Sequence, residues 1–285
     1  MLLTVGDLLE EILIQLRSPP RQGVDSTVRS ARVRGGSAAN VAAIDAERGG
    51  SPRFVGQVGN DALGQILADE LEGRGVDVQV SRLGGTGVSV TTVGRGRRTR
   101  LIDRGASRGP ARLDPAVLDG VTQVYVAASA FTEDPLASAI DRLLADVRDR
   151  RLPLVLGGPG PADLELLGAQ PFLELVQAAE PDSVVLHQRE HQALGLDAHS
   201  PIPGAAVTVV TRGVRPTMIL TPMHDAISVP VPPVEHVRDR TGVGDGFLAG
   251  YLASRRAGAD PVSATNAGHR VAARVLANLG PTSST

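Results

Sequence analysis

The 285 residues of this chain include no cysteine and no lysine, and each absence removes a class of chemistry. Without cysteine there is no disulfide framework, no thiolate nucleophile and no zinc–cysteine site. Without lysine, all 29 residues of the Lys+Arg count are arginine, which excludes a Walker-type phosphate loop, Schiff-base formation and a lysine nucleophile. Any phosphate must then be met by backbone N–H groups, arginine or a metal ion. Aromatic residues are 2% of the chain, so a nucleobase would have to rest on aliphatic walls. A dominant charge is lacking too: the formal net charge is −2, and arginines scattered among acids leave no basic stripe for nucleic acid. No apolar run approaches the ~18 residues that a membrane span needs. The N-terminus, Met1-Leu2-Leu3-Thr4-Val5-Gly6, reaches Asp7 without a charged leader or a cleavage site. A cytoplasmic protein with neither nucleic acid nor membrane as partner is therefore expected.

Two glycine blocks are present instead. The more informative is Asp239-Arg240-Thr241-Gly242-Val243-Gly244-Asp245-Gly246-Phe247. From Asp245 onward the residues are apolar or small and read as a helix, so the N–H groups of residues 242–245 gather at its positive end. Such a nest binds an anion. A carboxylate there repels phosphate, which leaves two readings for Asp245: an acid stabilised in a first helical turn, or a base taking the proton from a hydroxyl that attacks the phosphate. The second block, Gly35-Gly36-Ser37-Ala38-Ala39-Asn40-Val41-Ala42-Ala43, again places a glycine turn before a small-residue helix. The blocks lie roughly 200 residues apart and read as two halves of one cleft.

Between them, short β-type runs alternate with helical patterns, which favours a parallel, doubly wound sheet. Strands are expected at 2–5, 53–58, 123–127, 153–156, 183–186 and 206–210. Helices are expected at 37–47, 63–73, 135–150, 188–194, 245–256 and 261–279. Two polar stretches, at about 24–34 and 86–103, have a period of two and read as an antiparallel ribbon with one exposed face. No repeat or linker interrupts the chain, so residues 1–285 are expected to form one domain, and 281–285 read as a frayed tail.

Both blocks, with Gly56-Gln57-Val58-Gly59-Asn60-Asp61-Ala62-Leu63-Gly64 between them, resemble the ordered signatures of the PfkB/ribokinase family of carbohydrate kinases. The resemblance covers nearly the whole chain. It implies a ribokinase-like three-layer α/β fold, with a doubly wound, mostly parallel sheet and a small β-strand lid made from about 24–34 and 86–103. A lid suits a kinase because water is the competing phosphoryl acceptor. The resemblance implies ATP and Mg2+ as cofactors, leaves a monovalent cation open, and implies a homodimer assembled through the lid. The implied activity is phosphoryl transfer from ATP to a hydroxyl of a sugar or sugar acid. A nucleoside is the alternative acceptor, and a catalytically impaired sugar-binding regulator on the same fold is the alternative role. A Rossmann-type binding protein is disfavoured, since no Gly-x-Gly-x-x-Gly follows the first strand.

On this resemblance Asp245 is the general base, and Gly242, Val243 and Gly244 donate N–H groups to the developing charge. Val243 and Arg240 depart from the smaller residues common in the family; Arg240 either lends charge to phosphate or pairs with Asp239. Gly35 and Gly36 let substrate approach the backbone, and the Asn40 amide offers a donor and an acceptor to vicinal hydroxyls. Glu11 aligns with an aspartate that the family presents to the sugar, or is a solvated acid. Arg104, in Arg104-Gly105-Ala106, resembles a segment leading from lid to substrate and can meet a carboxylate or phosphate, whereas Arg97, Arg98 and Arg100 read as a solvated lid face. For the nucleotide, Val209 to Pro216 resembles a Thr-x-Gly-x-x-Gly segment near ATP. Thr211 and Gly213 are retained there, while Pro216 replaces the second glycine. Asn266 either faces adenine or is an exposed helical asparagine. His187-Gln188-Arg189-Glu190 stands where the family usually has Asn-x-x-Glu, associated with magnesium and phosphate. Glu190 fits, acting through water, and His187 does not. His187 and His191 are spaced i, i+4 but lack a third ligand, so no zinc site is expected.

Overall fold

In the computed structural model, which describes residues 1–94 and 97–283 apart from the Arg97 side chain, two sheets of unequal size organise the chain. The Arg97 part of the expected lid face, and residues 284–285 of the expected frayed tail, lie outside the described residues. In chain order the elements are β1 (Leu2–Val5), β2 (Leu9–Gln15), β3 (Arg29–Gly35), α1 (Ser37–Glu47), β4 (Pro52–Val58), α2 (Ala62–Gly73), β5 (Asp77–Arg82), β6 (Thr86–Gly94) and β7 (Arg97–Gly105). There follow β8 (Gln123–Val126), α3 (Leu136–Asp149), β9 (Leu154–Gly157), α4 (Pro161–Leu167), α5 (Ala169–Ala179), β10 (Ser183–His187) and α6 (Gln188–Ala193). The chain continues through β11 (Thr208–Arg212), β12 (Arg215–Thr221), β13 (His224–Val229), α7 (Val243–Arg256) and α8 (Pro261–Leu276).

The larger sheet runs β13-β12-β11-β10-β9-β8-β1-β4-β5. From β11 to β5 every neighbouring pair is parallel, and β12 and β13 add an antiparallel edge. Its central strands are buried along their whole length, as in β1, β8 and β9, because helices cover both faces; such strands read as continuous apolar runs. One face packs against α1, α7 and α8 through Ile44, Phe247 and Val271, the other against α3 and α5 through Ile140, Leu143 and Phe172. The result is three layers. The chain builds β4 and β5 on one side of β1, then β8 to β11 on the other. That reversal opens a crevice at the carboxyl ends of β1 and β8, the place where open α/β sheets bind ligands.

The smaller sheet runs β3-β2-β6-β7 and corrects the expected ribbon in two ways. Its central pair, β2 and β6, is parallel, because both strands continue from parallel strands of the larger sheet and leave it in the same direction. Residues 24–28 are not strand, and β2 supplies the missing strand. The expected tail is corrected as well: Thr282 Oγ1 donates to Glu47 Oε1 at 2.7 Å, and the Ser283 N–H donates to Oε2 at 2.7 Å. A carboxylate at the end of α1 thus ties down residues that sequence alone leaves loose. Among the described residues no helix is long and apolar enough to cross a membrane.

Candidate active site

The start of α7 turns its unpaired N–H groups toward one corner of the crevice. Gly242 caps the helix with φ +77°, and a Cβ there would lie 2.4 Å from Pro281 Cβ, so both conformation and packing call for glycine. The first helical bond runs from the Gly246 N–H to the Gly242 carbonyl at 2.8 Å. The Val243 N–H reaches the Arg240 carbonyl only at 3.5 Å, and among the described residues the N–H groups of Gly244 and Asp245 have no protein acceptor. These are the orphan donors of a helix start. The branched Val243 side chain packs against the hydrophobic core.

Asp245 is half-buried in this first turn. Its Oδ1 accepts a hydrogen bond from Ser37 Oγ at 2.7 Å and its Oδ2 one from Asn40 Nδ2 at 2.8 Å. Burial pushes its pKa up to about 6, against the pull of these two hydrogen bonds; the charge of Glu11 adds to the rise and that of Arg100 opposes it. Ser37 Oγ also lies 2.9 Å from the Tyr125 hydroxyl. Since Ser37 gives its proton to the carboxylate, Tyr125 donates to Ser37, and burial raises the Tyr125 pKa so that it keeps that proton. The two glycine blocks therefore meet, through α1 and α7, over the end of β8.

On the lid side of the crevice, Asn40 is buried on α1. Gly36, at φ +102°, would place a Cβ 2.0 Å from the Asp7 carbonyl oxygen, and Gly35 one 2.6 Å from Leu9 Cδ1. Both glycines thus admit the corner between β1 and β2. Glu11 is buried, accepting from Thr91 Oγ1 at 2.7 Å and from Arg98 Nη2 at 3.5 Å, so it is not a solvated acid. The pairing of β7 with β6 sets Arg100 opposite Thr91 and Arg98 opposite Val93. Arg98 and Arg100 therefore share the lid face that carries Glu11 and Thr91; both are solvent-exposed there, as expected, and Arg98 also reaches Glu11. Ser89, opposite Glu11 in register, is buried and its hydroxyl has no partner among the described residues. The buried Arg104 guanidinium binds the carboxylates of Asp7 and Asp163. Asp163, on the unforeseen α4, went unnoticed in the sequence.

On the opposite side of the crevice, Thr211 Oγ1 donates to the Leu186 carbonyl at 3.3 Å, while Gly213 occupies the turn into β12 at φ +66° with open space around it. The Asn266 amide on α8 donates back to the Val262 carbonyl at 3.1 Å. Glu190 Oε2 accepts the His187 N–H at 2.7 Å; burial pushes this carboxyl up to about 7, and Asp163 adds to the rise. His187 caps α6 through Nδ1, which accepts the Arg189 N–H at 3.2 Å, whereas His191 Nε2 bonds the Ser200 carbonyl at 2.9 Å. The two histidines have separate tasks, and no three potential metal-ligating side chains converge among the described residues. Asp239 Oδ1 takes the N–H groups of Arg240 and Thr241 at 2.7 and 3.2 Å. It thus shapes the loop, and the Arg240 side chain stays exposed without an ion pair among the described residues.

Comparison with known proteins fits this geometry. A family model described as "pfkB family carbohydrate kinase" matches residues 4–285. The bifunctional protein HldE of Halorhodospira halophila is 29% identical over 272 residues, covering 89% of this chain and 54% of that protein, so the chain spans about half the length of this relative. Among solved structures, adenosine kinase from Sinorhizobium meliloti superposes with a TM-score of 0.85 at 21% identity, over 99% of this chain and 95% of that one. Arabidopsis thaliana ribokinase, complexed with ribose and ATP, gives 0.78 at 20% identity, over 98% and 93%. At such identities the structural likeness speaks for the fold.

Proposed function

Because the chain belongs to the pfkB family of carbohydrate kinases, we propose that it transfers the γ-phosphoryl group of ATP to a hydroxyl of a sugar or sugar acid, with Asp245 as the base. The observation that carries this reading is a carboxylate with a pKa of about 6, held by Ser37 and Asn40 beside the open N–H groups of α7. Such a group is ionised at neutral pH yet basic enough to accept a proton.

In the proposed reaction the acceptor lies between Asn40 and the lid face bearing Glu11, Ser89 and Thr91. Its hydroxyl gives a proton to Asp245 as its oxygen bonds the γ-phosphorus. The bond from that phosphorus to the β–γ bridging oxygen breaks, and ADP leaves with the electron pair. The N–H groups of Gly242, Val243 and Gly244 face the charge on the transferring group. Tyr125 and Ser37 keep Asp245 pointed at the acceptor. Glu190 suits a water-mediated contact to Mg2+, with the nucleotide's own phosphates supplying further oxygens; the ion, once bound, neutralises phosphate charge. Thr211, Gly213 and Asn266 are the proposed nucleotide contacts. The polar acceptor wall and the scarcity of aromatic residues favour a sugar over a nucleoside.

ADP release from magnesium–ATP across a panel of sugars, sugar acids and nucleosides tests the reading. Asp245→Asn is expected to lower kcat by at least about a hundredfold while leaving acceptor binding, measured by calorimetry, within about threefold. Because the base must be deprotonated, the wild-type kcat/KM should fall tenfold per pH unit below about pH 6 and level off above it. An Asp245→Asn protein with more than a tenth of wild-type kcat would remove Asp245 from this role.

A further inference from the structure

One arginine lies outside the cleft yet touches it through a single side chain. Arg34 is the last residue but one of β3 and lies on the face that carries Glu10, opposite the face that carries Glu11; its side chain is only 3% exposed. Its Nε donates to Asn40 Oδ1 at 3.1 Å, and its Nη1 to the two Glu70 oxygens at 2.7 and 2.6 Å. Its Nη2 donates to the Pro281 carbonyl at 3.1 Å. A guanidinium has donors only, and an amide has a donor end and an acceptor end. Arg34 therefore holds the Asn40 oxygen toward itself, which leaves Nδ2 to face Asp245. The residue whose carbonyl receives Nη2, Pro281, also fills the space that a Cβ on Gly242 would need. Residues 280–283 thus touch both halves of the site: the amide through Arg34, and the start of α7 directly.

We infer that Arg34 is a positioning residue for phosphoryl transfer, fixing the Asn40 amide so that it donates to the catalytic carboxylate and anchoring that amide to α2 and to residues 280–283. The inference rests on Asp245 being the base. A residue with five directed donors suits the task because it can hold three partners in one plane. Lysine offers a point charge and no such fork. Around Asp245 the other groups are Ser37 and Asn40 from α1, Tyr125 behind Ser37 from β8, and the charges of Glu11 and Arg100 from the lid. Of these groups Asn40 alone is hydrogen-bonded to Arg34, so a change at position 34 reaches Asp245 through that amide.

The test is a double-mutant cycle of Arg34→Met and Asn40→Ala, read together with a 13C titration of the Asp245 carboxyl in the unliganded protein. If Arg34 acts through Asn40, Arg34→Met lowers kcat about tenfold or more, and the double variant matches Asn40→Ala within about twofold, since coupled residues do not add. The Asp245 titration moves to higher pH in Arg34→Met, because a donor to the charged form has been lost. Losses that multiply in the double variant, or an Asp245 titration unmoved by Arg34→Met, overturn the inference. The titration needs no turnover, so a wild-type protein without kinase activity would reject the proposed function and still decide the role of Arg34. Should Arg34→Met fail to fold, Arg34→Lys keeps a cation for Glu70 but cannot also hold Asn40. The same upward movement is then expected, and its absence overturns the inference.

Discussion

Two glycines in the first turn of α7 answer to different constraints, and the difference yields a test. Gly242 is fixed by a positive φ and by Pro281. Gly244 has neither restraint: a Cβ there would meet no atom within 4 Å. Gly244→Ala should therefore fold at least as well as wild type, since alanine is favoured over glycine in a helix by up to about 1 kcal/mol. The same methyl group would stand beside the orphan N–H groups that the proposed reaction sets against the phosphate. We expect an unchanged or slightly raised Tm by calorimetry, together with a fall of about tenfold or more in kcat/KM for ATP; full activity would place the phosphate elsewhere. Asp245, Asn40 and these glycines stand out in the sequence because their chemistry is written in short motifs. Ser37 and Tyr125 do not stand out, although Ser37 lies inside one of those motifs. Nothing local says that its hydroxyl meets a carboxylate 208 positions away, or that Tyr125 in an apolar strand stands behind it at 88. Glycines carry a second constraint at this scale: the space that a Cβ would need at Gly35 and Gly36 is taken by Leu9 and the Asp7 carbonyl, so packing alone already calls for glycine at both.

Elements that the sequence announces are those with one unambiguous environment. The fully buried parallel strands and the long helices α1, α3, α7 and α8 fall within a few residues of their expected bounds. What escapes is half-buried or interrupted. β5 lies at a sheet edge, β12 carries an exposed Pro216, β2 has the acid pair Glu10-Glu11 directly after its first residue, and Gly168 with Pro171 breaks the stretch that forms α4 and α5. Missing α4 also hid Asp163, and with it the joint between lid and body. Arg104 at the end of β7 joins Asp7, just after β1, to Asp163 on α4. Burial raises the Asp7 pKa, and the Arg104 charge is the largest effect holding it down. Arg104→Met should thus leave two carboxylates without their cation, a loss of about 3–5 kcal/mol for a broken buried pair. The sign of its pH dependence follows from the carboxylates. Without Arg104 the folded-state pKa of Asp7, already raised by burial, rises further above its unfolded value, so the variant recovers stability as the pH falls and Asp7 protonates. Urea unfolding of variant and wild type at pH 8 and pH 5 should give a clearly smaller gap at pH 5. An equal gap at both would mean that Arg104 contributes packing and not charge.

For the molecule as a whole, the two faces of the lid sheet carry different residues, a division that a period of two in the sequence already suggests. One face lines the cleft with Glu11, Ser89 and Thr91. The other carries Ile12, Val90 and Leu101, which the strand register sets side by side across three strands, with Leu101 66% exposed. An apolar row on an outward sheet face calls for a cover, and we propose that a second copy of the chain supplies it, lid against lid. A two-fold contact of this kind lets the same row meet itself. It also gives the lid a firm back. The cleft-lining side chains alternate with the contact residues along the same strands, so whatever steadies one face steadies the other. Leu101→Glu would set two like charges against each other at such a contact. Sedimentation at micromolar concentration should then show dimers for wild type and monomers for the variant. Calorimetry should find the variant's larger sheet still folded, and the acceptor KM should rise more than the ATP KM, because the proposed ATP contacts lie outside the lid. A wild-type chain that sediments as a monomer would leave the row uncovered and the proposal without its partner. A monomeric variant with an unchanged acceptor KM would keep the dimer but deny that it braces the cleft.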